Sequence, residues 1–276
     1  MIIIGERVNA TRKMIKSAVE QKNRDVIISE ITLQDRYGAD FIDLNAGTGS
    51  GTVQQEQDDL RWLIDIALAC TDKHLVLDAA SPEILSSAAE HLENRRPWML
   101  NSINGELSAA ELEIIDLAAS FQVPLIALAM DSDGIPATVE KRLAICETIM
   151  QECGFRGLGE EKVFFDPLVL PISTDHTQAM VTFRTIAKIK ERFPKANTTL
   201  GLSNVSHGLK KRALVNGSFL TTAACFGLDS AICDPSRKSI RRAIVTGDLL
   251  GGRDRFCRKF SRSLRQGLFD EENKKS

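Results

Sequence analysis

Eight short runs of almost uninterrupted apolar residues recur along the chain, at 2–4, 41–45, 75–78, 98–101, 125–130, 163–166, 199–203 and 230–233. They show little alternation. A strand with one wet face alternates apolar and polar residues. A strand buried on both faces reads as a continuous apolar run, and parallel sheets are buried on both faces. Amphipathic stretches of helical period lie between the runs, most clearly at 54–69, 82–92, 108–119, 138–152, 178–193 and 210–224. Ser81-Pro82 puts proline at a first helical position, and Ser108-Ala109-Ala110-Glu111 is a capping box. Eight strand–helix units in 276 residues predict a (β/α)8 TIM barrel, an α/β fold that takes about 250 residues. The pattern predicts one domain over 1–268, including a helical C-terminal extension at 241–268, followed by a polar tail at 269–276.

The polar residues then change the picture. Asp43, Asp78 and Asp166 each close an apolar run, and Asp131 follows one. Asn45, Asn101 and Asn204 also stand at run ends. In a barrel those ends converge on the C-terminal mouth, where active sites lie. A lone strand-end Asp is as well explained by a helix cap or a turn, but seven such residues point to a shared site. They offer hydrogen-bond acceptors and donors without lysine or histidine, which disfavours Schiff-base and simple acid–base aldolase chemistry. The set suits a heterocycle with many N–H groups.

Composition narrows the rest. At 43% hydrophobic and 26% charged, the chain has material for a large core, and a net charge of −2 gives no general pull toward nucleic acid or anionic membrane. The start, Met1-Ile2-Ile3-Ile4-Gly5-Glu6-Arg7, lacks a secretory pattern, and no apolar run approaches the roughly 20 residues of a membrane span. A cytoplasmic protein is expected. The six cysteines form no Cys-x-x-Cys pair and read as reduced thiols; with the four scattered histidines they show no metal-ligand spacing, so no bound metal is expected. Gly47-Thr48-Gly49-Ser50-Gly51 evokes a dinucleotide loop, but Thr52 stands where the third glycine belongs. Gly201-Leu202-Ser203-Asn204-Val205 lacks the closing glycine of a nucleophile elbow. The Arg- and Lys-rich stretch 241–265 reads as a solvated or oligomer-forming face, or as a docking surface for an acidic protein.

Six segments then occur in a telling order: Ile4-Gly5-Glu6-Arg7-Val8-Asn9, Asp43-Leu44-Asn45-Ala46-Gly47, Leu77-Asp78, Leu100-Asn101-Ser102, Phe165-Asp166-Pro167-Leu168-Val169-Leu170-Pro171 and Gly201-Leu202-Ser203-Asn204-Val205-Ser206. Together they resemble the methyltetrahydrofolate:corrinoid protein methyltransferases of the pterin-binding barrel superfamily. That superfamily also holds the folate domain of cobalamin-dependent methionine synthase and, more distantly, dihydropteroate synthase. The resemblance implies that Asp78, Asn101 and Asp166 hydrogen-bond the pterin ring. Asn9, Asp43, Asn45, Gly201 and Ser203 belong to the same substrate site. Asn204 is the catalytic residue, reaching the ring nitrogen that carries the methyl group. Ala79-Ala80 stands where the family often has Ser-Thr, so a hydroxyl contact is lost.

The implied substrates are tetrahydrofolate or methyltetrahydrofolate and a corrinoid (cobalamin). The chain has no Asp-x-His-x-x-Gly corrinoid motif and no zinc-thiolate site for homocysteine. The corrinoid is therefore expected on a separate partner protein, and the enzyme itself is expected to be a homodimer. Two alternatives stand beside this reading: a dihydropteroate synthase-like enzyme, for which Asp234-Pro235-Ser236-Arg237-Lys238 is a loose match to a diphosphate-binding segment, and a non-catalytic folate-binding module.

Overall fold

The computed structural model describes residues 1–49, 51–93 and 95–270. Along the chain come β1 (Ile2–Asn9), α1 (Lys13–Glu20), α2 (Arg24–Arg36), β2 (Phe41–Asn45), α3 (Val53–Cys70), β3 (His74–Asp78), α4 (Pro82–Leu92), β4 (Trp98–Asn104), α5 (Ala109–Phe121) and β5 (Leu125–Leu128). There follow α6 (Val139–Phe155), β6 (Val163–Asp166), α7 (Gln178–Arg192), β7 (Asn197–Thr198), α8 (Arg212–Cys225), β8 (Ser230–Cys233), α9 (Lys238–Leu250) and α10 (Arg258–Arg265). The strands are parallel and run β7-β6-β5-β4-β3-β2-β1-β8. A bridge between Gly201 and Ile232, with Ile232 N–H donating to the Leu200 carbonyl at 2.9 Å, joins the two ends. The architecture is the (β/α)8 barrel that the apolar runs predict.

Local signals set the helix starts. Thr52 and Gln55 form a reciprocal capping box at α3, Ser108 and Glu111 another at α5, and Pro82 opens α4. Alternation then decides which face each strand residue takes. Leu75, Leu77, Leu100, Leu125, Ala127, Val163 and Phe165 point outward and join the core under the helices. Ile4, Val76, Met99, Ile126 and Phe164 meet inside the barrel as an apolar plug. Two residues further along the same face come Glu6, Asp78, Asn101 and Asp166, and Asp43 stands two beyond Phe41. The plug is thus topped by a polar layer at the C-terminal mouth. Asn9, Asn45, Asp78 and Asn101 are register partners in one row across four strands.

A bulge in β1 aims this layer. Between Gly5 and Val8 the register with β2 shifts, which frees the Arg7 N–H from the ladder. That N–H donates instead to Gln34 Oε1 of α2 at 3.0 Å. Gln34 is fully buried, and a Cβ on residue 5 would lie 2.3 Å from the same oxygen. Any larger residue there would have to displace the Gln34 amide, so the close approach favours glycine.

Four expectations shift. β1 runs on to Asn9 rather than ending at Ile4. β5 stops at Leu128, because Asp131 closes a turn with Gly134 and lies outside the polar layer. The seventh strand is Asn197–Thr198, not 199–203. Its partner β6 ends at Asp166, whose carboxylate accepts the Gly201 N–H, and the chain turns into a short 3-10 helix at Leu202–Asn204. The 241–268 pattern is split into α9 and α10 at Gly251-Gly252, with Gly252 at φ 72°. Buried Asp248 ties the extension down by pairing with the Met1 ammonium at 3.1 Å, Arg253 at 3.1 Å and Lys259 at 2.6 Å. Of the polar tail, 271–276 lies outside the described residues.

Candidate functional site

A cavity of about 810 Å3 opens at the mouth, a size typical of small-molecule sites. β2, β3 and β4 supply Asp43, Asp78 and Asn101; β1 supplies Glu6, Arg7 and Asn9; the Leu202–Asn204 turn supplies Ser203 and Asn204. The first turns of α8 and α9 and the loop after β8 complete it with Arg212, Asn216, Asp234, Arg237 and Ser239. Six of the sequence-derived residues, Asn9, Asp43, Asp78, Asn101, Ser203 and Asn204, thus share one wall.

Asp43 and Asp78 are hydrogen-bonded to each other. Burial raises both carboxyls above the usual range, and the Asp78 charge raises Asp43 further. Asn101 Nδ2 donates to Asp43 Oδ1 at 3.4 Å. Asn45 hydrogen-bonds Asp78 and accepts the Gly47 N–H at 3.0 Å. It sits behind Asp78 and is not on the cavity wall.

Asp166 and Gly201 are not on that wall either. Asp166 is 7% exposed; its Oδ1 accepts the Leu168 N–H at 2.7 Å, and burial lifts its carboxyl to about 6 against the partial relief of the Leu168 and Gly201 N–H groups and Arg142. Arg142, in α6, is itself fully buried. It donates to the carbonyls of Pro136, Pro167 and Leu168 at 2.8, 2.8 and 3.0 Å and to Gln178 Oε1 at 2.8 Å, which fastens the loop after Asp166.

Asn204 differs from its neighbours. Its side chain is exposed to the cavity and makes no hydrogen bond to a described residue. The turn that presents it is held by others: Arg212 donates to the Ser203 carbonyl at 2.7 Å and to Ser206 Oγ at 2.9 Å. Ser203 Oγ donates to Glu6 Oε1 at 2.8 Å. Burial raises the Glu6 carboxyl, helped by nearby Asp234 and opposed by the Ser203 bond and by Arg12 and Arg7. Arg7 grips Glu30 at 2.6 and 2.9 Å and Asp234 at 2.7 Å.

The sequence reading missed Glu6, Arg7, Arg212, Asn216 and Asp234. Glu6 carried a signal, since it continues the alternate positions of Ile2 and Ile4. Arg212 and Asn216 carried none, being ordinary polar positions of a helix start.

The chemistry available is acceptance and donation of hydrogen bonds around a flat polar group. Cys233 lines the cavity, but burial pushes its thiol well above the usual value, so it is no thiolate nucleophile. Among the described residues no cluster of His, Cys, Asp and Glu could hold a metal ion, and no helix is long and apolar enough to cross a membrane.

The pterin binding enzyme model matches residues 5–234, and the chain belongs to that family. It is 35% identical, over 97% of both chains, to the methylcorrinoid:tetrahydrofolate methyltransferase of Eubacterium limosum. It is 29% identical over 86% of its length to the methionine synthase of Mycobacterium tuberculosis, of which the match spans 20%. In fold it is similar to the dihydropteroate synthase of Stenotrophomonas maltophilia, at 17% identity and TM-score 0.66 over 88% of this chain and 90% of that one.

Proposed function

We propose that this protein transfers a methyl group between tetrahydrofolate and the cobalt of a corrinoid carried by a separate protein, by in-line displacement at the folate N5. One observation carries the reading. The cavity pairs a floor of hydrogen-bonding groups, Asp43, Asp78 and Asn101, with an Asn204 amide whose side chain bonds no described residue. A pterin presents an amino group and a ring N–H side by side, which a carboxylate such as Asp78 accepts as a pair. Asp166, in the same inward layer though outside the cavity lining, is a further pterin acceptor in this reading, while Asn9, Asn45, Gly201 and Ser203 shape or brace the pocket. The Asn204 amide then meets N5, where charge changes as the methyl arrives or leaves. A hydrogen bond made only at that stage lowers the barrier without tightening ground-state binding.

The full-length similarity to the Eubacterium limosum methyltransferase supports the reaction class. The dihydropteroate synthase reading is weakened by its own candidate cations. Arg237 pairs with Asp234 at 3.2 Å and Lys238 donates to the Asp270 carbonyl at 2.8 Å, so both already have partners within the chain. The corrinoid is a substrate delivered to the open mouth, and a corrinoid protein is the proposed partner. Following demethylation of methylcobalamin by visible absorbance with added tetrahydrofolate tests the proposal. Appearance of methyltetrahydrofolate supports it; tight folate binding with no methyl exchange, or condensation of a pterin with p-aminobenzoate, overturns it.

A further inference from the structure

Methylation of tetrahydrofolate releases a proton. The N5 lone pair attacks the methyl carbon, the N–C bond forms as the C–Co bond breaks, and the electron pair stays on cobalt. N5 must then shed its hydrogen. Asn204 cannot take it, because an amide is neither acid nor base near neutral pH.

The carboxylates of the cavity are not equally free to do so. Asp43 and Asp78 are bonded to each other and to Asn101 and Asn45. Asp234 is engaged by Arg7 at 2.7 Å, Arg237 at 3.2 Å and the Ser236 hydroxyl at 2.5 Å. Glu6 holds one partner, Ser203, on Oε1, and Oε2 meets no described residue and is not sealed from the cavity. Ser203 is the residue before Asn204, so its bond to Glu6 brings that carboxyl beside the turn carrying the amide.

We propose that Glu6 is the base that receives the N5 proton when tetrahydrofolate is methylated, and the acid that returns it in the reverse direction. This rests on the methyl-transfer reading. The proton passes from N5 to Oε2 and then to solvent at the mouth, so charge balances without another reactant. Burial and the charge of Asp234 hold the proton on Glu6; the Ser203 hydroxyl, Arg12 and Arg7 draw it off; Cys233 beside it stays neutral. A carboxyl raised in this way is closer to the pH at which a general base works best.

The test is single-turnover methyl transfer from methylcobalamin to tetrahydrofolate across pH 5 to 8.5, with folate titrations on the same samples. The wild-type rate should rise with pH and level off as Glu6 ionises. Glu6→Gln keeps an acceptor for Ser203; it should bind folate within about threefold of wild type, react roughly a hundredfold more slowly, and lose the pH rise. Ser203→Ala removes a bond that favours the ionised form, so its midpoint should move to higher pH, a readout that holds even if Glu6→Gln folds poorly. A Glu6→Gln enzyme with the wild-type rate and pH profile, or a Ser203→Ala midpoint that stays in place, overturns the assignment while leaving methyl transfer intact. No transfer by the wild type overturns both.

Discussion

Arg212 Nη2 donates to the carbonyl oxygen of Ser203 at 2.7 Å, while its Nε donates to Ser206 Oγ at 2.9 Å. One guanidinium from the first turn of α8 therefore holds both sides of the turn that carries Asn204. The amide is placed by its neighbours and its side chain bonds no described residue, an arrangement that leaves it free for substrate.

Loosening that grip should cost rate more than binding. Arg212→Met is expected to slow methyl transfer roughly tenfold to a hundredfold, because a small misplacement of a reacting group is expensive. Folate affinity and Tm should stay close to wild type, since Arg212 is at the surface. Transfer kinetics and calorimetry on one preparation check this; an equal loss in both would assign Arg212 to binding.

The acceptor floor makes its own prediction. Asp78→Ala leaves pterin N–H groups facing a dry wall without a partner, at a cost of roughly 1–3 kcal/mol. Folate affinity should fall about tenfold to a hundredfold in a titration. Unchanged affinity would make the Asp43–Asp78 pair a structural element of the barrel.

Asp166 predicts a pH dependence. Its carboxyl stands at about 6 in the fold against an ordinary 3.8, so folding favours the protonated form. The stabilisation is complete below pH 3.8 and is lost as pH rises through 6, with a size on the order of 2–3 kcal/mol. Asp166→Asn cannot ionise. The wild-type unfolding free energy in urea, minus that of the variant, should therefore drop between pH 4 and 7. A constant difference would mean that the Leu168 and Gly201 N–H groups keep Asp166 ionised throughout.

Much of the fold and of the site is legible in the sequence. The eight apolar runs gave the barrel because burial on both faces removes alternation, and the strand-end Asp and Asn residues marked the mouth. What stayed hidden depended on side chains doing the work of backbone. The seventh strand ends early because the Asp166 carboxylate takes the Gly201 N–H, a bond that no periodicity reports. Asn45 shares the inward row with Asp78 but hydrogen-bonds it instead of lining the cavity, a side-chain choice that strand position does not report. Glu6 is hidden because the apolar run stops at Ile4, although position 6 continues the same face.

The bulge in β1 gives a stability test. Gly5→Ala places a Cβ 2.3 Å from Gln34 Oε1, a clash that displaces the acceptor of the Arg7 N–H. Overpacking of this kind costs about 1–3 kcal/mol. Gln34→Ala combined with Gly5→Ala should recover part of that loss, a non-additivity that a double-mutant cycle in urea reads directly. Strict additivity would show that the two positions do not meet.

In the proposed reaction the free Asn204 amide acts on the methyl-bearing nitrogen of a folate held by Asp78 and its neighbours. Single-turnover transfer between methylcobalamin and tetrahydrofolate by wild type and Asn204→Ala, with folate binding and Tm measured alongside, tests it most directly. The expected result is transfer by the wild type and a loss of a hundredfold or more in rate for the variant, about 2.7–4 kcal/mol in barrier, with binding and Tm little changed. A variant that transfers methyl at the wild-type rate, or that loses rate, binding and Tm in parallel, would contradict the account.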